Sequence, residues 1–262
     1  MTETSTAEKT QIPDVTAAEP IPASAMSEVN RLLGNGDLYR YTTAESPVTQ
    51  LEREFAAKMG SRYALAVSSC SAALFISLKA LDLPPGAKVL ITAFTFVAVP
   101  SAVVHAECVP VLCECGSNYR IDLDDFHRKL PDVDAVLISH MRGHTSDMDA
   151  IMAACDAARL PVIEDAAHSL GTTWDGRKIG TIGKIGCYSF QSYKLLNSGE
   201  GGIMVTDDPD LMARAIMMHG SYEDKWQHHD IPADVTDRVQ NYLPMFGLRL
   251  NTLSAVLIRA QL

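Results

Sequence analysis

The sequence has few positive charges, no long apolar run and no secretory signal. It contains 22 Lys and Arg residues against 32 Asp and Glu residues, which gives a formal net charge of −10. This balance argues against a nucleic-acid partner or an anionic membrane surface. No run reaches the roughly 18 apolar residues that a membrane span requires, and the N-terminus lacks a basic-then-apolar signal pattern. Any phosphate group must therefore be held locally, by backbone amides and hydroxyls.

The cysteines form no C-x-x-C pair and are scattered through apolar segments. They are Cys70, Cys108, Cys113, Cys115, Cys155 and Cys187. Because the chain is long and shows no secretory signal, we expect no disulfide framework, and we expect a reducing cytoplasm. Cys113 and Cys115 are separated by one residue and could ligate a metal. We favour the alternative, in which this segment is a strand with the usual alternation of sides. The sequence therefore predicts no metal site.

The composition is that of a globular domain, with 47% apolar and 21% charged residues. Residues 1–25 are rich in Thr, Ala, Glu and Pro and lack a periodic apolar face, which predicts a disordered N-terminal arm. Residues 26–262 are expected to form one large domain. Its first helix starts at Met26 and should stop at Gly34.

Short apolar strands alternate with helices over more than a hundred residues. We predict strands at 63–67, 88–92, 109–113, 135–139 and 162–164, and helices at 48–59, 72–81, 98–105, 123–130, 148–159 and 211–218. This alternation is typical of a doubly wound α/β sheet that is parallel for most of its width, with helices on both faces. Segment 220–242 is polar and is predicted to be a long loop, in which His228 and His229 are exposed or bind a metal.

The stretch from Cys187 to Asp207 holds a single lysine, Lys194, between two apolar runs that predict strands. Three glycines, Gly199, Gly201 and Gly202, follow the lysine and permit a sharp turn. An amine that is held in place and partly desolvated can lose its proton and act as a nucleophile. A surface lysine on a hairpin is the alternative.

Ligands of open parallel sheets bind at the carboxyl ends of the strands, and four groups of this chain are predicted to lie there. They are Ser68–Ser71, where a strand gives way to a helix, Asp165 at the end of an apolar strand, Ser189, and Lys194. The serines suit an anion site, although Ser is also an ordinary N-cap. Pyridoxal phosphate would account for all four groups, because it needs a lysine for its aldehyde, an acid for its ring nitrogen and donors for its phosphate.

From about Gly34 to Leu262 the chain resembles the DegT/StrS sugar aminotransferases, enzymes of the pyridoxal-phosphate fold type I. The motifs that carry the resemblance are Ala93-Phe94-Thr95-Phe96, His140-Met141-Arg142-Gly143 with Asp147-Met148-Asp149, Glu164-Asp165-Ala166-Ala167-His168, and Ser189-Phe190 through Lys194 to Gly199-Glu200-Gly201-Gly202. Within the family, Ser189-Phe190-Gln191 and the segment Arg249–Leu262 look most like 3-amino-5-hydroxybenzoate synthases.

The resemblance implies a role for each candidate site residue. Lys194 would carry the cofactor aldehyde and Asp165 would pair with the ring nitrogen. Phe96 would stack on the ring, His168 would lie near the ring hydroxyl, and the Cys70 amide with Ser71 and Ser189 would hold the phosphate. Tyr39, Tyr41 and Arg249 are the candidate substrate-binding residues; an ordinary surface loop is the alternative for the two tyrosines.

The sequence departs from the family pattern at three places. Cys70 stands where the family usually has Gly. Gly247 stands where an Asn often reaches the phosphate of the partner subunit. The C-terminal small domain is not matched, so we expect residues 26–262 to be the cofactor-binding large domain alone. The resemblance also implies a homodimer with its sites near the interface. The C-terminal segment 250–262 is predicted to be an apolar helix, and we expect the apolar residues of 246–250 and 253–262 to be exposed and to need a partner.

The favoured function is an aminotransferase that moves an amino group from glutamate or glutamine to a keto-sugar or a cyclic ketone, in amino-sugar, antibiotic or other secondary-metabolite biosynthesis. The alternative is a non-catalytic or partner-dependent subunit, a remnant that binds the cofactor. A dehydratase of the same family is a third interpretation, but those enzymes carry His at the position of Lys194.

Overall fold

The computed structural model describes residues 20–239 and 243–262. Residues 1–19, which make up most of the predicted N-terminal arm, and residues 240–242, at the end of the predicted loop, lie outside the described residues. Residues 23–25 form a short 3₁₀ turn in which Ala25 is buried. Within the described ranges, every helix is too short or too polar to cross a membrane.

A seven-stranded sheet forms the centre of the domain, with strand order β1-β9-β8-β5-β4-β2-β3. The strands are β1 (Tyr63–Val67), β2 (Lys88–Thr92), β3 (Val109–Cys113), β4 (Ala135–Ser139), β5 (Val162–Asp165), β8 (Ile185–Ser189) and β9 (Gly202–Thr206); β6 (Thr173–Trp174) and β7 (Arg177–Lys178) form a separate hairpin. Within the seven-stranded sheet, all pairs are parallel except those that β9 makes with β8 and β1. This confirms the predicted, mostly parallel sheet.

Helices cover both faces of the sheet. They are α1 (Met26–Asn35), α2 (Pro47–Met59), α3 (Cys70–Ala80), α4 (Ala98–His105), α5 (Leu123–Lys129), α6 (Met148–Ala158), α7 (Pro209–His219), α8 (Ala233–Val239) and α9 (Thr252–Arg259). Buried side chains of α3, α4 and α7 form the core on one face, and those of α2, α5, α6 and α9 form the core on the other. Apolar area removed from water on both faces is the main stabilising term of such a fold.

Polar caps mark where several helices begin. The side chains of Ser46, Ser69, Asp147, Asp208 and Asn251 each accept a hydrogen bond from a backbone N–H of the first turn. Such a cap contributes about 1 kcal/mol, since it satisfies a donor that the helix itself leaves unpaired.

Three expectations about local structure were wrong. The first helix continues past Gly34 and ends at Gly36, which adopts the left-handed conformation (φ 72°) that favours glycine at a helix C-terminus. Segment 220–242 is not one long loop, because it contains a 3₁₀ helix at Glu223–His228 and α8. The third error concerns the C-terminal apolar helix. It was expected to leave its apolar side exposed, but α9 packs against α1 and α2 and buries Ala255 and Ile258.

Candidate active site

Asp165 lies at the carboxyl end of β5, in the middle of the sheet. The strand register places it beside Ser139 of β4 and Cys187 of β8. Ser139 Oγ donates a hydrogen bond to Asp165 Oδ2 (3.0 Å), and the Ala167 N–H donates to Oδ1 (3.1 Å). The thiol of Cys70 lies 3.9 Å from Oδ1. The carboxylate is only 7% exposed, so these donors fix its direction.

The neighbouring acid, Glu164, faces the other side of the sheet and has a different task. Its carboxylate is fully buried and accepts hydrogen bonds from the backbone N–H groups of Gly180, Ile182 and Gly183 (2.8, 2.7 and 2.5 Å). His140 Nε2 lies 3.1 Å from its second oxygen. Successive side chains of a strand point to opposite faces of the sheet. Glu164 therefore holds the loop before β8, while Asp165 faces the candidate site at the carboxyl ends of the strands.

Lys194 lies in the loop between β8 and β9, as predicted. The Lys194 N–H donates to the Gln191 carbonyl (2.9 Å), and Ser198 closes the loop by donating to the Phe190 carbonyl (2.9 Å). The turn uses Gly199, whose φ is 82°. Lys194 Nζ lies 2.7 Å from Nε2 of His168. The loop therefore brings the amine to the strand ends instead of leaving it in solvent.

The electrostatic surroundings of Lys194 favour its neutral form. Burial lowers the pKa of Lys194, the groups of Cys70 and Asp165 raise it, and the Arg142 guanidinium lowers it, with a net shift below the ordinary value. Partial loss of hydration and the Lys194 cation likewise lower the pKa of His168. When the pKa of a lysine is lowered, a larger fraction of its amine is deprotonated near neutral pH. Only the deprotonated amine can act as a nucleophile or a base.

The N-terminus of α3 lies at the same edge of the sheet. The N–H groups of Cys70 and Ser71 are in its first turn, where backbone donors have no partner within the helix. A Cβ at Gly202 would lie 2.5 Å from the Cys70 nitrogen, so only glycine lets β9 start against this turn. Ser71 is exposed, and Ser189 Oγ accepts a hydrogen bond from the Gln191 N–H (3.3 Å) without using its own proton. Together these groups form a small set of donors suited to an anion.

Arg249 and Tyr39 lie together, although they are 210 positions apart. The guanidinium of Arg249 is 5.7 Å from the centre of the Tyr39 ring, and its Nη1 donates to the Gly220 carbonyl (2.9 Å). Tyr39 Oη in turn lies 3.1 Å from Tyr222 Oη. The backbone around Arg249 pairs with the end of β1, next to the loop that leads into α3. The candidate substrate residues Tyr39 and Arg249 are thus neighbours, and Tyr222 joins them.

Tyr41 is placed differently from Tyr39. It is 2% exposed, and its hydroxyl lies 2.8 Å from Nε2 of His229 and 3.3 Å from Nε2 of His219. Next to it, the buried Arg40 forms a bidentate ion pair with Glu52 (2.6 and 2.7 Å). His229 is therefore neither an exposed loop residue nor part of a metal cluster in the described part of the chain. This buried network lies beneath the loop that carries Tyr39.

Phe96 lies in the loop after β2 and is 59% exposed, so its ring is free to contact a ligand. The same loop contains Thr95, whose hydroxyl is buried and has no hydrogen-bond partner among the described residues. A buried polar atom without a partner is unusual in a folded protein. It lies at the same edge of the sheet as the donors of α3 and the Lys194 amine.

Sequence reasoning missed several residues of this region. Ser139, the donor to Asp165, ends an apolar strand, which is the signal that identified Asp165 itself. Tyr222 and Glu52 could not be found in that way, because Tyr222 comes from the segment after α7, far along the chain from Tyr39, and nothing in the pattern of α2 shows that Glu52 pairs with Arg40. Arg142 was noted only as part of a motif.

Comparison with known proteins assigns the chain to a family. The sequence model of the DegT/DnrJ/EryC1/StrS aminotransferases matches residues 21–262. The chain belongs to this family. It is 38% identical over 187 residues to the spore coat polysaccharide biosynthesis protein SpsC of Bacillus subtilis, covering 70% of this chain and 48% of that protein. It is 30% identical over 212 residues to the putative pyridoxal phosphate-dependent aminotransferase EpsN of the same organism, covering 77% of this chain and 54% of that protein.

A solved structure of an aminotransferase-family protein has the same fold as this chain. The crystal structure of 3-amino-5-hydroxybenzoic acid synthase superposes with a TM-score of 0.83 at 29% identity, covering 96% of this chain and 64% of that one. The neighbours confirm the predicted fold, the large domain of fold type I aminotransferases. The family resemblance seen in the sequence is confirmed as well. The chain spans about half the length of the curated relatives that it matches.

Proposed function

We propose that this chain binds pyridoxal phosphate and transfers an amino group from an amino acid, glutamate or glutamine, to a keto-sugar or a cyclic ketone. One observation carries the proposal. A half-buried lysine amine of lowered pKa lies 2.7 Å from His168, at the strand ends that also carry the buried Asp165 carboxylate. The family membership, and the aminotransferase names of the relatives, support the same reaction.

The described residues fit pyridoxal phosphate. The first turn of α3, with the amide of Cys70 and the hydroxyl of Ser71, would hold the phosphate together with Ser189. Asp165 offers a buried carboxylate that is already oriented by Ser139, as a ring nitrogen would require. Phe96 is exposed and would cover the ring. The Thr95 hydroxyl, which has no hydrogen-bond partner among the described residues, could donate a further hydrogen bond at this edge of the sheet.

When bound, pyridoxal phosphate supplies an aldehyde and an electron-accepting ring. The negative charge of Asp165 favours a proton on a ring nitrogen that is held against it, which strengthens the electron-accepting character. Lys194 would supply the amine that holds the aldehyde and, as a free amine, would take a proton from the substrate carbon and return one. His168 accepts a hydrogen bond from Lys194 Nζ when the amine is protonated, and so keeps the amine at the strand ends.

Arg249 would bind the carboxylate of the amino donor, because its guanidinium can form two parallel hydrogen bonds with a carboxylate. Tyr39 contacts the guanidinium and would line the same subsite, with Tyr222 beside it. Tyr41 was predicted to bind substrate as well; since its hydroxyl is buried against His219 and His229, we propose that it supports the Tyr39 loop from below.

A homodimer completes the proposal. Three apolar side chains next to the site, Phe96, Tyr193 and Leu195, are 59–66% exposed, which is costly in water unless they contact a partner or ligand. We place the reaction in a reducing cytoplasm, which the six free cysteines support. Light scattering at micromolar concentration checks the assembly: a monomer with cofactor bound would rule out the dimer.

The test uses the chain as it stands. We expect the purified chain to bind pyridoxal phosphate, with an absorbance band that is absent in Lys194→Ala, and to release one equivalent of keto acid from glutamate or glutamine in a single turnover. Absence of binding would refute the proposal. Binding without keto acid release would favour the alternative, a cofactor-binding subunit that needs another chain.

A further inference from the structure

Arg142 has an unusual backbone conformation, in the loop that follows β4. Its φ is 52° and its ψ is 27°, inside a short 3₁₀ turn, and the next residue is Gly143 with φ 80°. Few residues other than glycine adopt left-handed angles, and bulky residues that do so cluster at functional sites. The backbone therefore holds a long cationic side chain at a position where glycine would be easier to accommodate.

The loop that carries Arg142 is held firmly. His140, two residues before it, is buried with Nε2 3.1 Å from Glu164, and its carbonyl accepts hydrogen bonds from the Gly143 N–H (3.0 Å) and from Ser169 Oγ (3.2 Å). The Cβ position of Gly143 lies 3.8 Å from the carbonyl oxygen of His168. Arg142 therefore extends from a rigid base directly beside the segment that carries His168.

The positive charge of Arg142 affects the pKa values of two site residues, and no carboxylate among the described residues of the site forms an ion pair with it. It is one of the charges that lower the pKa of Lys194 and of His168, after burial in each case. Arg142 is exposed, and within residues 20–239 and 243–262 no carboxylate forms an ion pair with it. The chain has ten more acidic than basic residues, yet this exposed arginine near the reactive amine has no ion pair among the described residues, so its guanidinium is available to an anionic ligand.

A row of aromatic side chains runs along the same edge. The ring of Phe94 is 4.8 Å from that of Tyr119, and the ring of Tyr119 is 5.3 Å from that of His144, two residues after Arg142. Tyr119 is 52% exposed and also has a positive φ of 62°. Exposed, ordered rings of this kind offer apolar faces to a ring-shaped ligand.

We propose that Arg142 binds a negatively charged group of the amino acceptor, and that the acceptor is therefore an anionic cyclic ketone. This inference rests on the proposed aminotransferase function. Arginine is suited to the task because its fork of N–H donors pairs equally well with a carboxylate and with a phosphate. Arg249, beside Tyr39 and Tyr222, provides a separate guanidinium for the carboxylate of the amino donor, which leaves Arg142 for the acceptor.

The experiment measures binding to the cofactor-loaded chain by titration calorimetry. The probes are 3-oxocyclohexanecarboxylate, its uncharged carboxamide, and uridine diphosphate as a source of phosphate. We expect the parent to prefer an anionic probe to the carboxamide, and Arg142→Gln to bind that anion roughly tenfold to a hundredfold more weakly, the factor expected for one charge-assisted hydrogen bond. Arg142→Lys should keep part of the affinity, because the charge remains and the fork is lost.

The two anionic probes distinguish the source of the charge: tighter binding of the ketone acid indicates a carboxylate, and tighter binding of the diphosphate indicates a phosphorylated acceptor. Arg62→Gln is the matched control, since Arg62 is exposed at the opposite edge of the sheet and should leave all affinities unchanged. Equal affinities for anion and carboxamide in the parent, absence of anion binding, or the same anion affinity in Arg142→Gln would overturn the inference.

Cofactor attachment is measured in the same samples by reduction and peptide mapping. A chain without cofactor on Lys194 would refute the proposed function itself. A chain with cofactor on Lys194 but with no anion preference would refute only the role of Arg142.

Discussion

Lys194 Nζ lies 2.7 Å from His168 Nε2, so one of these two nitrogens must offer its lone pair to a proton on the other. The pKa of each group is lowered, chiefly by burial. This geometry accommodates two protonation states. In both of them the His168 imidazole is neutral, and the Lys194 amine is protonated in one and neutral in the other. The loop between β8 and β9 and the segment after β5 therefore meet as a pair of coupled bases.

The first prediction concerns the reactivity of Lys194 in the cofactor-free chain. Because only the neutral amine reacts with fluorodinitrobenzene, the pH midpoint of labelling reports its pKa, which we expect below the ordinary value of about 10.4. Arg142→Gln removes a positive charge and should move the midpoint to higher pH. Asp165→Asn removes a negative charge and should move it to lower pH.

Labelling of each lysine is followed by peptide mass spectrometry. Lys88, exposed at the opposite edge of the sheet, serves as an internal reference whose rate should be the same in all three proteins. Shifts in the opposite directions, or identical midpoints in the three proteins, would contradict the arrangement of charges described around Lys194.

The second prediction separates cofactor binding from chemistry at Asp165. Asp165→Asn should still bind pyridoxal phosphate, because Ser139 and the Ala167 N–H can hold an amide in nearly the same place. It should lose most of its single-turnover rate, by roughly a hundredfold or more, because a neutral amide does not favour a protonated ring nitrogen. Stopped-flow absorbance measures the rate, with Asp175→Asn on the exposed β6–β7 turn as control. Equal rates would exclude the proposed role.

Much of the fold followed from the sequence, because apolar strands and amphipathic helices have clear periodic patterns. The positions of Asp165 and Lys194 at the strand ends could be predicted from the same patterns, since Asp165 ends a short apolar run and Lys194 lies between two apolar runs, before a glycine-rich turn. The role of Tyr41 could not, because a tyrosine in a polar loop gives no sign that its hydroxyl will be buried against histidines almost 190 positions away. The packing of the C-terminal helix was missed for a related reason: its partners, α1 and α2, are at the other end of the chain.

Glu164 is the subject of the third prediction. Glu164→Gln should lower the free energy of unfolding by about 3 kcal/mol, because the amide NH₂ would face backbone N–H donors and leave buried groups unpaired. Urea denaturation measures the loss. Glu200→Gln, an exposed position in the Lys194 loop, should change stability by less than about 0.5 kcal/mol. A stable Glu164→Gln variant would show that the loop before β8 does not depend on this carboxylate.

The fourth prediction concerns acid stability. Burial lowers the pKa of His229 to about 4, against about 6.5 in an unfolded chain. Between these values the unfolded chain binds more protons, so stability should fall as the pH decreases from 6.5 towards 4, by up to about 3 kcal/mol. Burial alone would raise the pKa of Glu52, but Arg40 reverses this and lowers it, so Glu52 adds a further loss below about pH 4.3.

Urea midpoints between pH 7.5 and 4.5 follow this dependence. In His229→Gln the slope between pH 6.5 and 4.5 should be smaller than in the parent, whatever the absolute stability of the variant. An unchanged slope would mean that His229 is not kept neutral by the buried network around Tyr41.

The most direct test of the central claim is borohydride reduction of the cofactor-loaded chain, followed by peptide mapping. We expect the pyridoxyl label on Lys194 alone, and we expect Lys194→Ala to retain none, because alanine has no amine to attach to the aldehyde. Lys194→Arg, which keeps the charge, should also remain unlabelled. Label on any other lysine, or no label on the parent chain, would contradict the assignment of Lys194 as the residue that carries the cofactor.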